Sequence, residues 1–280
     1  MWGSWTFDPL QLAMLAVFVA AYARRATTLH ARGRPVAAWR VASFSTGIVL
    51  LLVALVSPVH ELGEELLFLH MLQHVLLGDL APLFLLIGLD GALLRPLLAV
   101  PGVARLRALS NPLVAFPVWA LTLLFWHLPV MYDTAVRHEG VHALEHMSFF
   151  AAGIALWLPV LETLPAPEWF GTGAKLGYVV SVRSVEMVLG NVLLWVAAAP
   201  LYAPYAGGHW SISAATDQSL AGAVMLAEGT LVTLTVLAVL FLRLQQEAEA
   251  RQELLERGVE PGRARRAVRH RRWDRLAGPL

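Results

Sequence analysis

Long apolar runs broken by short polar gaps dominate the chain. Seven runs have the length that a helix needs to cross a bilayer, about 20 residues at 1.5 Å of rise each. They cover residues 9–23 (extendable toward 27), 36–56, 64–87, 112–130, 141–160, 174–198 and 217–242. Between them, SPVHELGEE, LDGALLRPLLAVPG and PLYAPYAGGHW are rich in proline and glycine, as short connections usually are. The pattern predicts an all-α polytopic membrane protein with seven transmembrane helices in a domain over 1–244. A basic tail follows over 245–280, beginning as a charged helical continuation of the seventh span.

Composition agrees: 58% of the 280 residues are hydrophobic and 15% charged, with a mean hydropathy of +0.62. A soluble core does not need so much apolar surface. The net charge of +1 says little, but the placement of Lys and Arg says more. Arg24, Arg25, Arg32, Arg34 and Arg40 follow span one; Arg95, Arg105 and Arg107 follow span three; Arg243, Arg251, Arg257 and the run RARRAVRHRR follow span seven. Positive side chains are retained on the cytoplasmic side during insertion, so these gaps are expected inside. The first residues and the gaps after spans two, four and six are poor in positive charge and are expected outside, while the gap after span five, with Lys175 alone, falls inside by alternation; this sets the N-terminus outside and the C-terminus in the cytoplasm. Arg24 and Arg25 come after the first apolar run rather than before it, so that run reads as a retained span, not a cleaved signal. Trp2, Trp5, Trp126, Trp157, Trp169 and Trp210 fall near span ends and fit an interfacial belt, and the tail fits contact with anionic lipid rather than nucleic acid.

The chain has no cysteine, which excludes disulfides, CxxC redox chemistry and thiolate metal sites. A metal site must then use His, Met, Asp or Glu. Of ten histidines, only His30 and His270 fall on the predicted inner side. His70 and His74 form an HxxxH pair on span three, and a spacing of four puts both on one helical face. They would lie roughly 9 and 15 Å below the outer helix end. Span five opens with HEGVHALEH, which repeats the spacing in His138, His142 and His146, and His127 lies near the outer end of span four. Imidazole is a ligand for copper, zinc, iron and nickel, and a carboxylate that accepts its second ring proton fixes the tautomer. Glu145, Asp133 and Asp217 are candidates for that supporting role, while Met71, Met147 and Met225 offer thioethers, soft donors that suit Cu(I). The expected ligands are His70, His74, His127, His142 and His146. His60, His138 and His209 read instead as interfacial groups that bond across helices or meet headgroups.

Asp79, Arg183, Glu186 and Glu228 fall near mid-membrane, where isolated charge is expensive. They are expected to pair as a buried polar clamp; a proton or ion path would use the same residue types. There is no GxxxxGK[ST] or GxGxxG nucleotide motif.

HMLQH (70–74) with Pro82 and Gly88, WHLP (126–129) with Tyr132, HALEH (142–146) with Trp157 and Pro159, and DQSLAGAVM (217–225) together resemble the CtaG-type cytochrome c oxidase assembly factors. The resemblance covers spans three to seven well and the first two mainly by pattern. It implies a multi-pass protein of the bacterial plasma membrane that matures a caa(3)-type oxidase, binding or delivering copper without enzymatic activity, with oxidase subunits as partners. It also marks His70, His74, His127, His142, His146 and Asp217 as motif positions. The residues alone leave open a haem-binding electron carrier, with axial histidines from two helices, and a copper or proton transporter.

Overall fold

A computed structural model describes residues 5–100, 103–196 and 199–269. Trp2, His270 and the last two residues of the expected sixth span lie outside the described residues. The described residues are mostly helical, and the only β-pairing among them is an isolated bridge between His209 and Ile212. Among the described residues six helices are long and apolar enough to cross a membrane, and a bent pair makes a seventh if it counts as one span. This is the architecture of a multi-pass membrane protein.

The helices are α1 (Pro9–Ala31), α2 (Ala38–Val56), the short α3 (Pro58–Gly63), α4 (Leu67–Val75), α5 (Ala81–Gly88), α6 (Gly91–Leu98), α7 (Pro112–Trp126), α8 (Pro129–Arg137), α9 (Glu139–Leu161), α10 (Thr172–Asn191), α11 (Ala214–Glu256) and α12 (Pro261–Arg269). The third span is α4 and α5 joined by a π-turn over Leu76–Leu80, closed by the Ala81 N–H bonding back five residues to the Leu76 carbonyl. Pro82 has no N–H to return to the carbonyl of Gly78, four residues earlier. That carbonyl faces α9, where a Cβ on residue 153 would stand 2.1 Å from it, so only glycine fits there. Small residues at such crossings let membrane helices approach backbone to backbone.

The expected fourth span is broken. Trp126 ends α7, Pro129 opens α8, and the two helices meet at 72°. Proline disfavours helical geometry in the residue before it, and Leu128 is extended (φ −65°, ψ 130°). Proline in the first turn then starts α8, where its missing N–H removes no helical bond.

The chain divides into two compact units. The larger comprises residues 1–167 and 184–229. Its core joins Phe44, Leu51 and Ala54 of α2 to Leu77, Ala81 and Leu85 of the third span. Arg40 donates to the carbonyls of Ile87 and Leu89, satisfying the end of α5, where helical partners run out. The smaller unit comprises residues 168–183 and 230–280. Within it α11 ends at Gly258 (φ +79°), with Val259 N–H bonding to the Leu254 carbonyl and Gly258 N–H to that of Leu255. This glycine-terminated stop turns the chain back, so that Ala264, Ala267 and Val268 of α12 bury Leu254. Glu260 caps α12 by accepting from the N–H groups of Gly262 and Arg263.

Candidate metal centre

The centre is assembled by capping one helix and packing another against it. Residue 66 is a leucine and cannot cap α4, so the cap comes from α11: the Asp217 carboxylate accepts the N–H of Leu67 at 2.8 Å and of Phe68 at 3.0 Å. An anion at a helix N-terminus satisfies free donors and meets the positive end of the dipole. Asp217 thereby fixes the first turn of the helix that carries His70 and His74. From α9, Glu145 and His146 come to the same place, and one ligand atom from each of His70, His74, Glu145 and His146 lies within 4.8 Å of the others. All four residues are buried.

The two α4 imidazoles meet Nε2 to Nε2 at 2.9 Å, and the Glu145 oxygens stand 3.9 Å from His70 and 3.7 Å from His74. A tetrahedral ion with bonds of about 2.1 Å spaces its ligands by roughly 3.4 Å, so the two imidazoles need open by only a few tenths of an ångström. Glu145 is fully buried, and neither carboxylate oxygen has a hydrogen-bond partner among the described residues. An uncompensated carboxylate in such a place is costly, and a cation between it and the imidazoles removes the cost. The donor set, three nitrogens and one oxygen, suits a borderline divalent ion.

Tautomers follow from the surrounding bonds. Tyr205 gives its only hydroxyl hydrogen to the Gly63 carbonyl at 2.7 Å, so its 3.1 Å contact with His70 requires Nδ1–H to donate, leaving Nε2 a lone pair turned to the centre. His127 is set the same way: Nδ1–H donates to the Leu123 carbonyl at 2.8 Å, and the buried Nε2 has no partner among the described residues. His60 is opposite, since its Nδ1 meets the amide nitrogen of buried Gln73 at 2.9 Å and must accept. Tyr205 and Tyr202 are buried, and burial pushes both phenols above their ordinary range, so they act only as neutral hydroxyls.

The sequence-derived candidates fall into several groups. His70, His74 and His146 converge, with Glu145 standing among the donors rather than behind them. His142 packs beside them, its ring 4.1 Å from His146 and 5.1 Å from His70. His127 is set back, 6.3 Å ring to ring from His74. Met71 and Met225 are buried, whereas Met147 is 53% exposed and faces away. His30, His138 and His209 are exposed, and Asp133 lies 4.0 Å from Arg137. Of the four mid-span charges, Asp79 accepts from the Trp157 indole at 2.7 Å and shares a hydrogen bond with Glu228, while Arg183 donates to Thr230. Sequence reasoning missed Gln73, Tyr202 and Tyr205. The only signal for the tyrosines was a pair of aromatics, PLYAPY, in a loop otherwise written for turning.

The family model of the cytochrome c oxidase caa3 assembly factor matches residues 20–247. Uncharacterised proteins of Mycobacterium bovis and Mycobacterium tuberculosis are each 23% identical over 238 residues, and one of Mycobacterium leprae is 24% identical. Each alignment covers 79% of this chain and 36% of the relative, so the chain spans about a third of the length of those proteins. No solved structure matches.

Proposed function

The chain belongs to the family of cytochrome c oxidase caa3 assembly factors, and on that premise we propose that it holds copper at His70, His74, Glu145 and His146 for delivery to the maturing oxidase. The observation that carries this is Glu145, a buried carboxylate with no hydrogen-bond partner among the described residues, facing three imidazoles. In this reading Tyr205 holds His70 with Nε2 available, Asp217 holds the helix that presents it, and Glu145 supplies the counter-charge. The protein crosses the bacterial plasma membrane seven times, counting the bent α7–α8 pair as one span, with its N-terminus outside. The arginine gaps support that orientation, which opens the centre toward the side where an outer copper site would be filled. Oxidase subunits are the partners, and the chain acts by holding and releasing metal rather than by catalysis. The 5.1 Å spacing of the His70 and His142 rings favours a single ion over a haem, which needs its macrocycle between two axial ligands.

The test is copper content and Cu(II) electron paramagnetic resonance of the detergent-purified protein, natural and His70→Ala/His146→Ala, after copper-replete growth. One copper per chain with nitrogen hyperfine structure, absent from the variant, is the expected result. Equal copper in both proteins, or a haem absorption band in the natural chain, overturns the proposal.

A further inference from the structure

A cavity of about 50 Å³ lies beside the histidine cluster. Met71, His74 and Asp79 of the third span line it, together with His127, Glu186, Met225 and Glu228. A space of this size holds an ion or a few waters, since one water needs about 10–15 Å³. Of its donors, Asp79 and Glu228 are engaged with each other and Trp157, and His74 belongs to the cluster already described. Glu186, the third carboxylate on the wall, also has a partner. Apart from the carboxylates and His74, two thioethers and one imidazole remain.

We infer that this cavity is a second metal site, in which the sulfurs of Met71 and Met225 and Nε2 of His127 bind a soft monovalent cation, Cu(I). It rests on the proposed copper function only for the identity of the metal. Buried methionines usually serve as adaptable packing, and the two here could be explained so if they stood alone. His127 could not. It is 7% exposed and lines the cavity, its Nδ1–H is spent on Leu123, and its Nε2 has no hydrogen-bond partner among the described residues. Leaving a buried acceptor unmet is unfavourable by about 1–3 kcal/mol, which a coordinated cation would relieve.

Thioether ligation selects Cu(I) among biological metals, whereas the cluster of three imidazoles and a carboxylate suits a borderline divalent ion. The two sites therefore differ in softness while sharing a wall at His74, whose ring is 6.3 Å from that of His127. They can be loaded separately by different probes.

The test titrates the full chain in detergent, without oxygen, with Ag(I) as a stand-in for Cu(I) and separately with Zn(II). Met71→Leu/Met225→Leu conserves volume and removes both sulfurs. Ag(I) affinity is expected to fall at least tenfold, with Zn(II) binding unchanged; about tenfold is the least that losing even an outer partner of a metal typically does. In His70→Ala/His146→Ala the pattern reverses, with Zn(II) lost and Ag(I) kept. Unchanged Ag(I) affinity in the leucine variant, or its loss only in the alanine variant, overturns the second site and leaves the cluster proposal standing. Zn(II) binding that survives the alanine variant overturns the cluster proposal instead, and the leucine result still judges the cavity. Independently of any substitution, copper-edge X-ray absorption of the Cu(I)-loaded chain grown on methionine and on selenomethionine must show sulfur neighbours replaced by selenium. Identical spectra overturn the inference.

Discussion

Gly153→Ala tests the close crossing of α9 and the third span. The added Cβ would lie 2.1 Å from the Gly78 carbonyl oxygen, 2.8 Å from its carbon and 2.8 Å from Pro82 Cγ. A carbon–oxygen contact needs about 3.3 Å, so the backbones must part by about 1 Å. The obstacle is backbone, not the free end of a side chain, and cannot turn aside. Overpacking typically costs about 1–3 kcal/mol, and the upper end applies here. The partner glycine provides the control. A Cβ on Gly78 meets nothing nearer than Phe149 at 3.5 Å, an ordinary contact, and alanine stabilises helical backbone over glycine by about 0.5–1 kcal/mol. The two substitutions, on facing residues of one crossing, are thus expected to move stability in opposite directions. Glu145 and His146 lie about two turns away along α9, so the wedge in Gly153→Ala should also weaken Zn(II) binding. Helical circular dichroism during heating in detergent, with and without Zn(II), reads both effects. A Gly153→Ala protein as stable as the natural one, or a Gly78→Ala protein equally damaged, would refute the packing argument.

Tyr205→Phe removes the acceptor that fixes the His70 tautomer. It should reduce metal affinity about 10- to 100-fold at unchanged helical content, and unchanged affinity in a Zn(II) titration would dismiss the orienting role. Glu145→Gln should raise the melting temperature of the metal-free protein, because a buried uncompensated charge is gone, while lowering metal affinity. The same sign for both effects, measured by melting with and without Zn(II), contradicts the counter-charge role. Glu260 is held below its ordinary value of 4.5 by the N–H groups of Gly262 and Arg263. Its folded value being the lower one, its contribution is full above pH 4.5 and is lost as pH falls through the depressed value. Amide exchange in α12 should rise under acid, and Glu260→Gln should remove most of that dependence.

Much of the site could be read from spacing, because helical periodicity alone puts His70 beside His74 and His142 beside His146. What spacing could not give was which face of α9 turns toward α4, and with it whether Glu145 ligates or merely supports a ligand. The break at His127 carried a local signal in Pro129, two residues on, outweighed in the sequence reading by the apolar run through residue 130. Tyr205 and Gln73 act through contacts reaching from a distant loop and across helices, for which local sequence holds no pattern. Asp217 looked like a helper of histidine and proves to cap α4 from about 150 positions away in sequence, a job that local capping rules assign to residue 66. The mid-span charges were legible as costly but not in their pairing.

The π-turn at Leu76–Leu80 also governs how the gene can change length. Each residue advances a helix by about 100°, so the extra residue in this turn sets the angular phase between the half bearing His70 and His74 and the half bearing Pro82. Deleting any one of these five residues would restore an ordinary helix and swing the two imidazoles about a quarter-turn off the centre, with every ligand still encoded. Single-codon deletions here should therefore abolish metal binding as completely as loss of a histidine, while equal deletions in the connection between α6 and α7 are tolerated. A deletion scan along the gene would show the third span as a frame whose length is fixed to the residue.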